Sequence, residues 1–227
     1  MIFESLLGLA LLVGIPAKAL ARKAAKKQER TRAQRYLHTI VEAGLLTIAA
    51  GLVAWHAGLR PTDLGLGFPP PAAGMIGLAL AAAVVGGLTA TVLLASPTSR
   101  TIRDDRGGSI MPRTGAEVRL FLLFSPVVGF AWEFLYRAYL LWWLEPIIGV
   151  PLAVILASVA YALAHGWEGW RPAMGSLIAA LLFTIGYAAT RSLWWLVAIH
   201  TALPFVGLFA FRRVQAASTP GEEPAPA

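Results

Sequence analysis

The chain contains no cysteine, which excludes disulfides, a thiolate nucleophile and any cysteine-ligated zinc, copper or iron–sulfur centre. Charge is scarce: Asp, Glu, Lys and Arg make up 14% of its 227 residues, against about 25% in ordinary soluble domains. Three familiar catalytic patterns are also missing, since the sequence has no HExxH, no GxGD and no GxSG. No repeat of fixed period is visible, which removes the solenoid architectures.

Apolar sequence takes the place of these features. Hydrophobic residues form 57% of the chain and the mean hydropathy is +0.66, so the fold class is an all-α integral membrane protein, a polytopic bundle of about seven transmembrane helices. The expected spans are 2–17, 36–56, 75–95, 120–144, 152–165, 173–190 and 192–211, with the fifth short for a full crossing. The first carries Glu4 rather than lysine or arginine at its start and is followed by a basic run, the reverse of a cleavable signal peptide. Residues 57–74, rich in Gly and Pro, form a linker. Three regions follow: two N-terminal membrane helices with a basic loop (1–56), a core (57–213), and a polar tail rich in Pro, Ala and Glu (214–227) expected to be disordered.

The net charge of +7 and the pI near 10.2 raise the question of a nucleic-acid partner. The distribution of the charges answers it. Sixteen of the nineteen lysines and arginines fall in segments 18–35, 96–119, 166–172 and 212–213, which lie on one side if the first span starts outside. The positive-inside rule predicts this bias, so the basic pI reflects topology in a lipid bilayer and no nucleic acid is implied. The expected orientation has the N-terminus outside and the C-terminus in the cytosol.

Within the spans, ionisable groups are costly and mark functional candidates. Glu133 and Arg137 lie four residues apart in AWEFLYRAYL, on one helix face and in the favourable order for an ion pair. That pair is either a self-neutralising device in a core helix or part of a catalytic constellation. His165 and His200 sit on two further helices at overlapping depth. Glu168, three residues past His165, shares its face if the helix persists through Gly166. His38 and Glu42 share a face of the second span and read as a local structural pair. The tryptophan pairs Trp142-Trp143 and Trp194-Trp195 fall at span ends and read as an interfacial belt.

The stretch Glu133-Phe-Leu-Tyr-Arg137-Ala, then Tyr161-Ala-Leu-Ala-His165, then His200 preceded by Ser192-Leu-Trp-Trp, resembles the three motifs of the CPBP family, usually written EExxxR, FxxxH and HxxxN. That family includes the type II CAAX prenyl endopeptidases and bacterial bacteriocin-processing and immunity-linked (Abi-like) proteins. The segment Arg60-Pro-Thr-Asp-Leu-Gly-Leu is similar to its upstream linker. Two positions depart from the pattern: Trp132 stands where the first glutamate is expected and Pro204 where the asparagine is expected.

The resemblance implies a CPBP-like catalytic core, a bacterial cytoplasmic (inner) membrane, and an intramembrane endopeptidase acting on a membrane-embedded protein or peptide. It implies Glu133, His165 and His200 as catalytic residues, supported by Arg137 and Glu168. In this reading Glu133 activates water, because the family's usual base position holds Trp132. No cofactor and no metal are implied, and the His and Glu spacing matches no standard zinc motif. Two other readings stay open: a catalytically inactive relative serving binding, immunity or scaffold roles, and a small transporter with a proton relay.

Overall fold

A computed structural model describes residues 2–24, 30–95, 110–166 and 169–218. Among these residues the regular structure is helical throughout: α1 (Ile2–Leu9), α2 (Ile15–Ala24), α3 (Arg32–His56), α4 (Ala72–Leu94), α5 (Gly115–Glu133), α6 (Leu141–Ile148), α7 (Val150–Ala164), α8 (Trp170–Thr190) and α9 (Trp194–Ser218). Wider π-helical turns, Ala10–Gly14 and Phe134–Leu140, join α1 to α2 and α5 to α6. Six stretches are long and apolar enough to cross a membrane, and α7 is a shorter apolar helix of 15 residues. The protein is thus a polytopic helical membrane protein.

Local chemistry explains where several helices begin. Thr31 caps α3 and Thr114 caps α5, each accepting the backbone N–H three residues on, while Gln34 and Glu117 reach back to the cap N–H. The last helix runs on to Ser218, so 214–218, expected to open a disordered tail, is helical; residues 219–227 lie outside the described ones. The first helical stretch likewise continues past the expected end at residue 17, to Ala24.

The π turn in the first stretch has a cause in the sequence. The Ile15 N–H bonds back to the Ala10 carbonyl, and Pro16 has no N–H, so neither residue that would normally serve the Leu11 carbonyl does so. The Tyr136 hydroxyl donates to that carbonyl instead, at 3.2 Å, and the Tyr139 hydroxyl donates to the Glu4 carbonyl at the same distance. Both tyrosines belong to the second π turn and are fully buried. The N-terminal helix is therefore tied to the segment that carries Arg137.

Close packing sets the remaining frame. Trp195 lies between α4 and α8, where a Cβ on Gly77 or Gly186 would come within 2.7 Å of its ring. Its indole N–H donates to Thr190 Oγ1, and that of Trp194 to the Gly67 carbonyl, both at 3.0 Å. Gly8 packs directly against Trp143. Trp143, Trp194 and Trp195 thus each have partners within the protein. Gly65, at φ 72°, turns the linker so that its carbonyl accepts the Leu193 N–H at 2.8 Å, docking that loop on the start of α9.

Candidate active site

The site grows from one face of α5. Ser125, Gly129 and Glu133 follow at intervals of four and line up toward α9. Ser125 Oγ donates to the Thr201 carbonyl at 2.9 Å. Gly129 lets the two backbones approach, since a Cβ there would lie 3.0 Å from Thr201 Oγ1. One turn further along, this closeness delivers Glu133 to His200.

His200 Nδ1 lies 2.7 Å from Glu133 Oε1. A carboxylate oxygen only accepts, so Nδ1 carries the proton and Nε2 points away from the carboxylate. Glu133 Oε2 faces Arg137 Nε at 3.4 Å, and neither side chain has any exposed surface. The guanidinium carbon stands 3.7 Å over the Tyr161 ring centroid, a cation–π contact inside the bundle. Among the described residues Arg137 has no hydrogen bond at its three side-chain nitrogens, so the carboxylate and the aromatic face carry its charge. His200 keeps 22% of its side-chain surface exposed, which gives the pair an open side.

His165 stands apart from this trio. It caps the end of α7, exposed, with Nδ1 2.9 Å from the Tyr161 carbonyl, which fixes the proton on Nδ1 and leaves Nε2 as an acceptor. Its ring lies 4.3 Å from that of Tyr161 and 5.5 Å from that of Trp132. Tyr161 thus links the two halves: its ring supports Arg137 and its carbonyl holds His165. The motif spacing gave no role to Tyr161, although it sits four residues before His165 and its ring was the available signal.

Trp132 stacks on Tyr136 at 5.4 Å and meets Tyr161 edge-on, so the position expected to hold a glutamate is filled by an aromatic plate between His165 and the interior. Pro204 leaves α9 continuous, and the helix keeps Thr201 in register with Ser125. Glu168 lies outside the described residues. His38 and Glu42 approach at 3.5 Å, and Glu42 pairs more closely with Lys18 of α2, at 2.7 Å, a contact between helices that no spacing rule reveals. Among the described residues, no three His, Asp or Glu side chains converge to hold a metal ion.

The helical membrane bundle thus holds a buried carboxylate backed by arginine and hydrogen-bonded to a partly open imidazole, an arrangement with the chemistry of a candidate acid–base site. Residues 114–206, which contain Glu133, Arg137, His165 and His200, match the family model of Rce1-like type II CAAX prenyl endopeptidases. That segment is similar to the CAAX-type intramembrane proteases of the CPBP family. No curated protein and no solved structure matches the chain.

Proposed function

We propose that the protein is an intramembrane endopeptidase in which His200 is the general base and Glu133 orients it. The observation that carries this reading is the 2.7 Å contact between His200 Nδ1 and Glu133 Oε1. Glu133 is too enclosed to take a proton from water itself, with one oxygen on His200 and the other facing Arg137. The direct role expected for Glu133 from the motif therefore passes to the imidazole it holds. His200 Nε2 removes a proton from water, and the resulting hydroxide adds to the scissile carbonyl carbon. The tetrahedral intermediate then collapses, the C–N bond breaks, and the imidazolium returns its proton to the departing amine. Glu133 stabilises the imidazolium through Nδ1–H, and Arg137 stands against its other oxygen as a counter-charge. His165 Nε2, left as an acceptor by the Nδ1 contact to the Tyr161 carbonyl, is assigned to binding water.

The substrate class is a membrane-associated protein or peptide. The bundle sits in a bacterial cytoplasmic membrane with its N-terminus outside and its C-terminus in the cytosol, supported by the basic bias of the loops. A second reading, a non-catalytic family member, is favoured by Trp132 in place of the first glutamate. Cleavage of membrane peptides by the purified protein separates the two. The hydrolase reading expects His200→Ala and Glu133→Gln each to lower the rate on the order of a hundredfold or more, the scale of a lost general base. Full cleavage by both variants, or none by the wild type across a broad peptide set, refutes it.

A further inference from the structure

A cavity of about 80 Å³ lies against Trp132, beside the residue that precedes Glu133. Lys18 from α2, Thr39, Glu42 and Ala43 from α3, Trp132 from α5 and Ala164 from α7 line it. Lys18 Nζ and Glu42 Oε1 are 2.7 Å apart, and their side chains are 49% and 28% exposed. A charged pair open to that degree within a membrane bundle faces water rather than hydrocarbon. A volume of this size has room for a few water molecules, and an ammonium, a carboxylate and the Thr39 hydroxyl supply their hydrogen bonds. The cavity is also lined by Ala164, the residue before His165, and its Trp132 wall is the same indole that lies 5.5 Å from the His165 ring.

We propose that the cavity between α2, α3 and Trp132 is an aqueous inlet that binds the water consumed in hydrolysis, with Lys18 and Glu42 as its positioning residues and Trp132 as its inner wall. Hydrolysis inside a bilayer needs water at a place that hydrocarbon keeps dry, and this ion pair holds it within one aromatic ring of His165. The role in hydrolysis rests on the proposed function; the hydration of the cavity does not.

The lack of native cysteine makes the inlet directly testable. Ala43 lies roughly 16 Å along α3 from Arg32, so it is deep in the span. It lines the cavity, whereas Leu45, at nearly the same depth, is 64% exposed on the lipid side. Ala43→Cys and, as a second probe, Thr39→Cys are compared with Leu45→Cys in liposomes by their reaction with trimethylammonium-ethyl methanethiosulfonate. The inlet predicts that the two cavity positions react faster by on the order of tenfold or more, because a thiol in hydrocarbon is shielded from a charged reagent. Adding Lys18→Met with Glu42→Leu removes that advantage. The same double variant lowers kcat for peptide cleavage and leaves KM unchanged. Equal labelling at positions 43, 39 and 45 overturns the inlet while leaving the hydrolase reading intact. Fast labelling by a protein that cleaves nothing keeps the hydrated cavity and overturns its part in hydrolysis.

Discussion

Replacing Glu133 with glutamine changes one atom of a fully buried cluster, and the expected consequence follows from the donors around it. The glutamine carbonyl still accepts from His200 Nδ1, as Glu133 Oε1 does at 2.7 Å. Its amide NH2 then faces Arg137 Nε, which stands 3.4 Å from Oε2, so a donor meets a donor and the guanidinium loses its one counter-charge among the described residues. Breaking a buried ion pair by removing one partner costs about 3–5 kcal/mol. At about 2–4 °C per kcal/mol for a chain of this size, the midpoint of thermal unfolding falls by roughly 6–20 °C. Adding Arg137→Met removes the stranded charge, and its apolar side chain fills space against Tyr161, so the double variant recovers most of that loss while remaining inactive. The assay is thermal unfolding in a fixed detergent, followed by size-exclusion chromatography of the surviving fraction. A Glu133→Gln midpoint indistinguishable from wild type, or a double variant no more stable than the single one, refutes the claim that this carboxylate neutralises Arg137.

Three further outcomes are expected. Tyr136→Phe orphans the Leu11 carbonyl that Pro16 leaves without a helical donor, costing about 1–3 kcal/mol in the same unfolding assay; Pro16→Ala, which restores an N–H to the helix, reduces that cost. Gly77→Ala drives a methyl to within 2.7 Å of the Trp195 ring, and overpacking of this kind costs about 1–3 kcal/mol, read as a lower unfolding midpoint. Asp63 lies in the linker outside the spans, where the Arg60 backbone N–H and then its guanidinium hold the carboxyl below its usual value. A depressed carboxyl stabilises the folded state above the ordinary aspartate range, near 4, and loses that contribution as pH falls through its lowered value. Asp63→Asn therefore flattens the acid limb of the unfolding midpoint measured against pH.

Much of the architecture was legible in the residues. Length and apolarity alone set the helices, because a membrane segment must satisfy its backbone internally, and the loop arginines and lysines marked their ends. The spacing of Glu133, His165 and His200 placed them on three helices at compatible depth. The pairings between helices were not legible. Glu42 finds Lys18 across 24 residues of sequence, and Glu133 finds His200 across 67, contacts that no local period encodes. The π turns were hidden for a related reason: Pro16 signals a missing donor, but the acceptor it frees is claimed by Tyr136, 125 residues from Leu11. The place of Trp195 at a span end is local information, whereas Gly77 and Gly186, which make room for it, lie on two other helices and could not be paired with it from sequence.

Whether a Glu133-oriented His200 activates water for peptide hydrolysis in the membrane can be read from an oxygen isotope. Purified protein in liposomes is incubated with membrane-anchored peptides in water enriched in oxygen-18, and the products are analysed by mass spectrometry. The account predicts one heavy oxygen in the newly formed carboxyl terminus with the wild type, and a rate lowered in parallel by His200→Ala and Glu133→Gln. Product without the heavy label, or labelled product formed at the wild-type rate by the His200→Ala variant, contradicts it.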